Sequence, residues 1–263
     1  MLKKQFGLVG HPLKHSHSSK IHQLLFKINN ISASYNMVDV TPEKLEDKIK
    51  TLKQFAGFNV TAPYKTDIIK YLDDIDITAK KCNSVNTVAN FNNKLIGFNT
   101  DILGFAKSIE IHKIPIHHKI CVLGFGGAAK SIIYYLTKKN ANITVAIRNY
   151  SKEKEQEIKK FFNNNIFVTD INYINDKYNL LINTTPVGMF PNIDQIPVNK
   201  KILKNINYVF DIIYNPPVTT LIKSATENGC KVFNGEFMLI WQAIEAQKIW
   251  FCNGGEKLEI SKL

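Results

Sequence analysis

The sequence predicts an α/β fold with two domains, each built on a mostly parallel β-sheet. Short apolar runs alternate with longer amphipathic stretches, which is typical of strands joined by crossover helices. This alternation occurs in two separate series along the chain. The length of 263 residues is more than one hydrophobic core needs and less than three require.

In the first series, apolar runs at 6–9, 35–40 and 55–60 predict strands. Amphipathic stretches at 18–28 and 42–52 predict helices, and Pro42 suits a first helical position because its missing N–H has no helical partner there. Residues 84–98 depart from the alternation. They predict a β-hairpin with Asn92 and Asn93 in its turn, followed by a helix over 101–109.

The second series begins at Lys119. It predicts strands at 120–123, 143–147, 180–183, 208–211 and 232–233, and helices at 128–138, 151–162, 219–228 and 238–251. Gly229 is placed to end the third of these helices. The change of series near residues 99–119 indicates the domain boundary.

Charge and cysteine content exclude several classes of protein. The net charge is +12, but the lysines are scattered and Arg148 is the only arginine, which disfavours a nucleic-acid-binding protein. No apolar run is long enough for a membrane span, and no signal peptide is evident. The four cysteines form no Cys-x-x-Cys pair, so we expect free thiols and a cytoplasmic protein.

A glycine-rich turn carries the strongest functional signal. Gly124, Gly126, Gly127 and Ala128 follow directly on a predicted strand and open directly into a predicted helix. This is the context that the dinucleotide-binding fingerprint of a Rossmann domain requires, with the pyrophosphate at the helix N-terminus. A tight turn without a ligand is the alternative interpretation.

The end of the next strand indicates which dinucleotide binds. NAD-binding domains place an acidic residue there for the ribose hydroxyl. This chain instead has Arg148 and Asn149, with Lys152 one turn later. The missing acid and the available cations favour NADP, although a solvated charge at a strand end is the simpler alternative.

The loop at 10–18 combines histidines with two serines. Ser16 and Ser18 alternate, so an extended chain can present both hydroxyls on one side, where they would suit a carboxylate. The alternative is that Ser18 caps the following helix. His11, His15, His17 and His22 suggest a metal site, but the loop supplies no acidic or cysteine partner, so we predict no metal.

Seven segments occur in an order that resembles the shikimate dehydrogenase family. They are Ser16–Ser18, Asn59–Lys65, Val85–Thr87, Asn99–Asp101, Gly124–Ala129, Asn183–Met189 and Met238–Ala243. The chain departs from the family pattern at Ile147 and Asn149, where the family commonly has Asn and Thr beside the arginine. These departures leave the degree of preference for NADP over NAD open.

The resemblance implies NADP-dependent reduction of 3-dehydroshikimate to shikimate, in aromatic amino-acid biosynthesis. It implies an N-terminal α/β substrate domain of residues 1–100 and 236–263, and a Rossmann domain of residues 101–235. Lys65 and Asp101 are implied as the catalytic pair. The implied substrate-binding residues are Ser16, Ser18, Thr61, Asn86, Tyr214 and Gln242, and the implied NADP-binding residues are Gly124, Gly126, Gly127, Ala128, Arg148, Asn149, Lys152, Thr184 and Gly235.

Other functions remain as alternatives at this point. An NAD-using quinate/shikimate dehydrogenase would share the fold, and a regulatory module could bind a dinucleotide without catalysing a reaction. The presence of both Lys65 and Asp101 favours an enzyme. The sequence leaves open whether the chain is a monomer or a homodimer.

Overall fold

A computed structural model describes residues 4–13, 16–163, 166–174 and 177–252. The chain divides into two compact units, one formed by Met1–Gly104 with Leu239–Leu263 and the other by Phe105–Met238. The boundaries predicted from the sequence coincide with the starts of two helices, α4 (Asp101–Ile111) and α8 (Glu236–Cys252), whereas the units divide within those helices. None of the helices in the described ranges has the length and apolar character needed to cross a membrane.

The first unit contains a six-stranded sheet and the helices that cover it. Its remaining elements are β1 (Lys4–Gly10), α1 (Ser18–Ile28), β2 (Ala33–Asp39), α2 (Leu45–Leu52), β3 (Gly57–Val60), β4 (Asp74–Ile75), α3 (Ile77–Cys82), β5 (Thr87–Phe91) and β6 (Lys94–Phe98). The strand order is β2-β1-β3-β5-β6-β4, and β5 alone among these strands runs antiparallel to its neighbours. The sheet is therefore mostly parallel, as predicted.

The hairpin turn and the entry to α2 show how local sequence shapes this unit. Asn92 and Asn93 both have positive φ angles, 52° and 67°, which asparagine tolerates better than most residues. The helix predicted over 42–52 is wrong in its first turn, because Pro42–Lys44 form a 3₁₀ turn before α2 begins. Two short elements, β4 and α3, were not predicted.

The C-terminal helix α8 completes the core of the first unit. Trp250 and Phe251 pack with Phe6 of β1, and the Trp250 indole donates a hydrogen bond to the Val88 carbonyl at 3.0 Å. A Cβ atom on Gly57 would lie 2.4 Å from the Trp250 Nε1 atom, so this approach requires glycine.

The second unit has the strand order of a dinucleotide-binding Rossmann domain. Its elements are β7 (Lys119–Leu123), α5 (Gly127–Lys138), β8 (Asn142–Ile147), α6 (Lys152–Phe161), β9 (Phe167–Asp170), β10 (Tyr178–Asn183), β11 (Ile206–Asp211), α7 (Thr220–Glu227) and β12 (Lys231–Phe233). All paired strands are parallel, in the order β12-β11-β10-β7-β8-β9. Apolar residues fill both faces of this sheet, as a doubly covered parallel sheet requires.

Candidate functional site

The first unit gathers polar residues at one edge of its sheet. Because β5 runs opposite to β3 and β6, the end of β3, the start of β5 and the end of β6 lie at the same edge. Lys65 follows β3, Asn86 immediately precedes β5, and Asp101 follows β6 as the first residue of α4. The topology therefore brings together three residues that lie far apart in the sequence.

Lys65 and Asp101 form an ion pair in this cluster. The distance from Lys65 Nζ to Asp101 Oδ2 is 2.6 Å, and the two side chains are only 17% and 7% exposed. Asp101 also lies in the first turn of α4, where the positive end of the helix dipole favours a carboxylate. The pair thus holds an ammonium group at a fixed position in a mostly buried setting.

Asn86 holds the other oxygen of the same carboxylate. Its Nδ2 donates to Asp101 Oδ1 at 2.8 Å, while its Oδ1 accepts the backbone N–H of Thr100 at 2.7 Å. Asn86 Nδ2 also lies 3.3 Å from Gln242 Oε1, which brings α8 to the cluster. Four of the residues predicted from the sequence are therefore in contact here.

Ser16 and Ser18 lie next to each other at the start of α1. Ser16 Oγ donates to Ser18 Oγ at 3.1 Å and accepts the Ser18 backbone N–H at 3.2 Å. The helix begins at Ser18 and its N-cap is His17, so the alternative that Ser18 caps the helix is wrong. The two hydroxyls meet, although His17 between them has φ and ψ angles of −82° and −6°, so the chain here is not extended as the prediction assumed.

Thr61 belongs to the segment that runs beside the loop leading towards these serines. Its N–H donates to the Val9 carbonyl at 2.9 Å, and the N–H of His11 donates to the Ala62 carbonyl at 3.1 Å. A Cβ atom on Gly10 would lie 2.4 Å from Thr61 Cγ2, so the two segments are closely packed.

The histidines of the N-terminal region lie in different environments. His11 Nδ1 pairs with Asp39 at 2.7 Å, and Asp39 also accepts the N–H of Leu13 at 2.9 Å, so β2 supplies an acid that the loop itself lacks. Burial lowers the pKa of His22 to about 3, and a hydrogen bond to Asn59 opposes this effect more weakly. His15 lies outside the described residues, and within the described ranges no three His, Cys, Asp or Glu side chains are grouped as metal ligands.

The glycine turn of the second unit fits a dinucleotide. Gly124 has a φ angle of +98°, and a Cβ atom there would lie 3.0 Å from Thr184 Oγ1. Gly126 is the N-cap of α5 and forms no side-chain cap, and a Cβ atom there would meet nothing within 4 Å. The space beside Gly126 at the start of α5 is therefore open, which suits phosphate binding at a helix N-terminus.

The remaining predicted cofactor residues also lie in the second unit. Arg148 and Asn149 are exposed directly after β8, and Asn149 has a φ angle of +54°. Lys152 is exposed at the start of α6. Gly235 is buried, and a Cβ atom there would lie 1.9 Å from the Ile212 carbonyl oxygen, so only glycine fits.

Thr184 and Tyr214 follow neighbouring strands of the second unit. The hydroxyl of Thr184, just after β10, donates to the Leu123 carbonyl at 2.5 Å beside the glycine turn. Tyr214 lies after β11 and is half-buried.

A buried carboxylate supports the strands beneath this turn. Asp211 accepts hydrogen bonds from Thr219 Oγ1 at 2.7 Å, Asn183 Nδ2 at 3.0 Å and the Ile213 N–H at 3.2 Å. Burial nevertheless raises the pKa of Asp211 to about 6, because these bonds offset only part of the desolvation. Sequence analysis did not single out Asp211, although Asn183 begins one of the seven segments.

Comparisons with known proteins agree with this geometry. Residues 8–88 match the family model of the shikimate dehydrogenase substrate binding domain. A shikimate dehydrogenase (NADP(+)) of Clostridium perfringens is 41% identical over 253 residues, which cover 94% of this chain and 92% of that protein.

Solved structures extend the likeness over both units. Shikimate dehydrogenase 1 of Peptoclostridium difficile has a TM-score of 0.90 at 34% identity, covering 98% of this chain and 94% of that one. A shikimate 5-dehydrogenase of Thermus thermophilus, solved with NADP(H) and shikimate, has a TM-score of 0.87 at 27% identity, covering 98% and 96%. The chain therefore belongs to the shikimate dehydrogenase family.

Proposed function

We propose that this protein is an NADP-dependent shikimate dehydrogenase, which reversibly reduces 3-dehydroshikimate to shikimate on the route to the aromatic amino acids. The observation that carries the proposal is the shielded Lys65–Asp101 ion pair, with Asn86 on the second carboxylate oxygen. A ketone reduction needs a proton donor at a fixed position, and this pair supplies one. The relatives at 41% identity support the same reaction.

Lys65 donates a proton to the ketone oxygen as negative charge develops there, and accepts it back in the reverse direction. Asp101 holds the ammonium group in place through the 2.6 Å contact. Asn86 and Gln242, which lie within hydrogen-bonding distance of each other, and Thr61 bind hydroxyl groups of the ring. The paired hydroxyls of Ser16 and Ser18 bind the carboxylate, and Tyr214 contributes to the substrate pocket.

NADPH, when bound, supplies the hydride. The open N-terminus of α5, with Gly124, Gly126, Gly127 and Ala128, holds the pyrophosphate. Arg148, Asn149 and Lys152 would hold the ribose 2′-phosphate, which a guanidinium group can bind through two parallel hydrogen bonds. Thr184 and Gly235 complete the cofactor set.

The protein is expected to act in the cytoplasm on a small-molecule substrate, as a monomer or a homodimer. Cys82, Cys121 and Cys230 are buried free thiols, which suits a reducing compartment. A nucleic-acid partner is disfavoured because Arg148 is the only arginine in the sequence.

The direct test measures nicotinamide absorbance with purified protein and 3-dehydroshikimate. We expect rapid loss of the NADPH signal and much slower loss of the NADH signal. Equal rates with both cofactors, or oxidation of quinate with NAD, would instead support the quinate/shikimate alternative. Folded protein that binds NADPH but turns over none of these substrates would contradict the proposal.

A further inference from the structure

A series of buried, hydrogen-bonded polar side chains ends at Asp101 Oδ1, the carboxylate oxygen that Lys65 does not contact. It runs from Tyr35 on β2 through Asn59 on β3 and Thr87 on β5 to Asn86. These four residues are 4%, 4%, 0% and 2% exposed. Buried polar groups of this kind constrain one another strongly, since each must keep its partners.

The direction of hydrogen bonding along this series is fixed at Asn59. Its Oδ1 accepts the Tyr35 hydroxyl at 2.7 Å, and its Nδ2 donates to Thr87 Oγ1 at 3.0 Å and to the Asn86 carbonyl at 3.1 Å. Because Asn59 donates to Thr87, the single hydroxyl proton of Thr87 must point elsewhere. Its acceptors are Asn86 Oδ1 at 3.3 Å and Thr100 Oγ1 at 3.1 Å.

The hydrogen bonds of Asn86 set the orientation of its carboxamide. Its Oδ1 accepts the Thr100 N–H at 2.7 Å, so its Nδ2 faces the Asp101 carboxylate. The Thr87 proton supports this orientation either directly, at 3.3 Å from Asn86 Oδ1, or through the Thr100 hydroxyl, which lies 3.2 Å from the same oxygen. A flipped carboxamide would set an amide oxygen against the carboxylate and an NH₂ group against the Thr100 N–H. The orientation seen here is therefore the one that lets Asn86 donate to Asp101.

We infer that Thr87 is a positioning residue, whose hydroxyl keeps the Asn86 carboxamide turned towards Asp101 and so holds the carboxylate in place for Lys65. The inference rests on the proposed function for its kinetic consequence. Its structural consequence, the orientation of one carboxamide, does not depend on the substrate.

The kinetic test compares Thr87→Val, which keeps the shape and removes the hydroxyl, with Thr87→Ser, which keeps the hydroxyl. We expect kcat to fall on the order of tenfold in Thr87→Val, as misplaced catalytic groups cause. The KM for NADPH should stay unchanged, and Thr87→Ser should recover most of the turnover. Thr144→Val, at a buried threonine of β8 in the other unit, is the matched control and should keep wild-type turnover.

A second readout is independent of turnover. The side-chain amide resonances of Asn86, identified by their loss in Asn86→Asp, should shift in ¹H–¹⁵N spectra of Thr87→Val and not in those of Thr144→Val.

Tyr35→Phe should also lower kcat, because Asn59 then loses the donor that fixes its orientation. This variant replaces Thr87→Val if Thr87→Val does not fold. Wild-type kcat with unshifted Asn86 resonances in the folded variants would overturn the inference. If the wild-type protein does not reduce the ketone, the proposed function fails and the resonances alone decide this inference.

Discussion

Each charge of the Lys65–Asp101 pair compensates for the burial of the other. If the lysine is removed, Asp101 keeps Asn86 and the start of α4 as partners. If the aspartate is removed, Lys65 loses the carboxylate contact made at 2.6 Å. Loss of the lysine should therefore disturb the chemistry more than the fold, which makes it the better position for a functional variant.

Lys65→Ala is expected to lower kcat about a hundredfold or more, because the ketone oxygen loses its proton donor. NADPH affinity should not change, since the predicted cofactor residues lie in the other unit. Steady-state kinetics and NADPH fluorescence titration measure the two effects. Lys70→Ala, at an exposed lysine of the same unit, is the control. Unreduced turnover in Lys65→Ala would remove Lys65 from the mechanism.

Arg148 is expected to select the phosphorylated cofactor. Arg148→Gln should raise the KM for NADPH by about tenfold to a hundredfold, the loss expected when a charged hydrogen-bond donor is removed from an anion. The KM for NADH should change little, because NADH lacks the 2′-phosphate. Lys204→Gln, at another exposed cation of the second unit, controls for net charge. An equal rise for both cofactors would contradict this role.

At the scale of elements, two glycines in one turn have different physical requirements. Gly124 needs its positive φ angle and its space beside Thr184, whereas Gly126 has a φ angle of −77° and open space around it. Alanine therefore suits the folded chain at Gly126 and strains it at Gly124.

Gly126→Ala should keep the melting temperature of the wild type and weaken NADPH binding, because its methyl group projects into the space that the pyrophosphate needs. Gly124→Ala should lower the free energy of unfolding by about 1–3 kcal/mol, the usual cost of a forced left-handed backbone. Thermal unfolding with and without NADPH measures both. If Gly126→Ala bound NADPH as tightly as the wild type, the pyrophosphate would have to lie elsewhere.

Most longer elements could be predicted because their apolar periodicity is clear, and α1 matches its predicted bounds. The missed elements lack that signal. Helix α3 has only six residues and begins with Ile77, which is 62% exposed, and β9 is an edge strand whose Phe167 is 65% exposed. Their form depends on neighbours that the local sequence does not reveal.

The site was predictable to a similar degree. Lys65, Asn86 and Asp101 were predicted through the family resemblance of their segments, but the role proposed for Thr87 depends on the register that sets it opposite Asn59. Residues 28 positions apart are brought together by sheet pairing, which motif recognition does not report.

At the scale of the whole molecule, the stability of the fold depends on pH through two buried groups, His22 and Asp211, whose contributions change in opposite directions. The pKa of His22 is lowered by burial to about 3 in the folded state, so stability falls as pH drops from 6.5 towards 3. The pKa of Asp211 is raised from 3.8 to about 6, so its contribution is full below 3.8 and is lost as pH rises through 6. Between about 4 and 6 the two contributions oppose each other.

Asp211→Asn should match the wild type near pH 4 and become relatively more stable as pH rises to 7, because asparagine resembles the protonated acid. The gain should be about 1–3 kcal/mol, at about 1.4 kcal/mol for each unit of pKa shift. Urea unfolding at several pH values measures it, and Asp194→Asn, at an exposed position in the same unit, is the control. A difference in stability that does not vary with pH would show that Asp211 titrates normally.

The contribution of α8 to the first unit also affects the order in which the protein can mature on the ribosome. Residues 4–104 emerge before the second unit, yet Phe6 is covered by Trp250 and Phe251, and Val88 is bonded by Trp250. The second unit is encoded without interruption between them, so it can fold while the first unit still lacks its last helix. Until that helix is synthesised, Phe6 lacks the aromatic side chains of Trp250 and Phe251, so the first unit cannot complete its core before the second unit has been made.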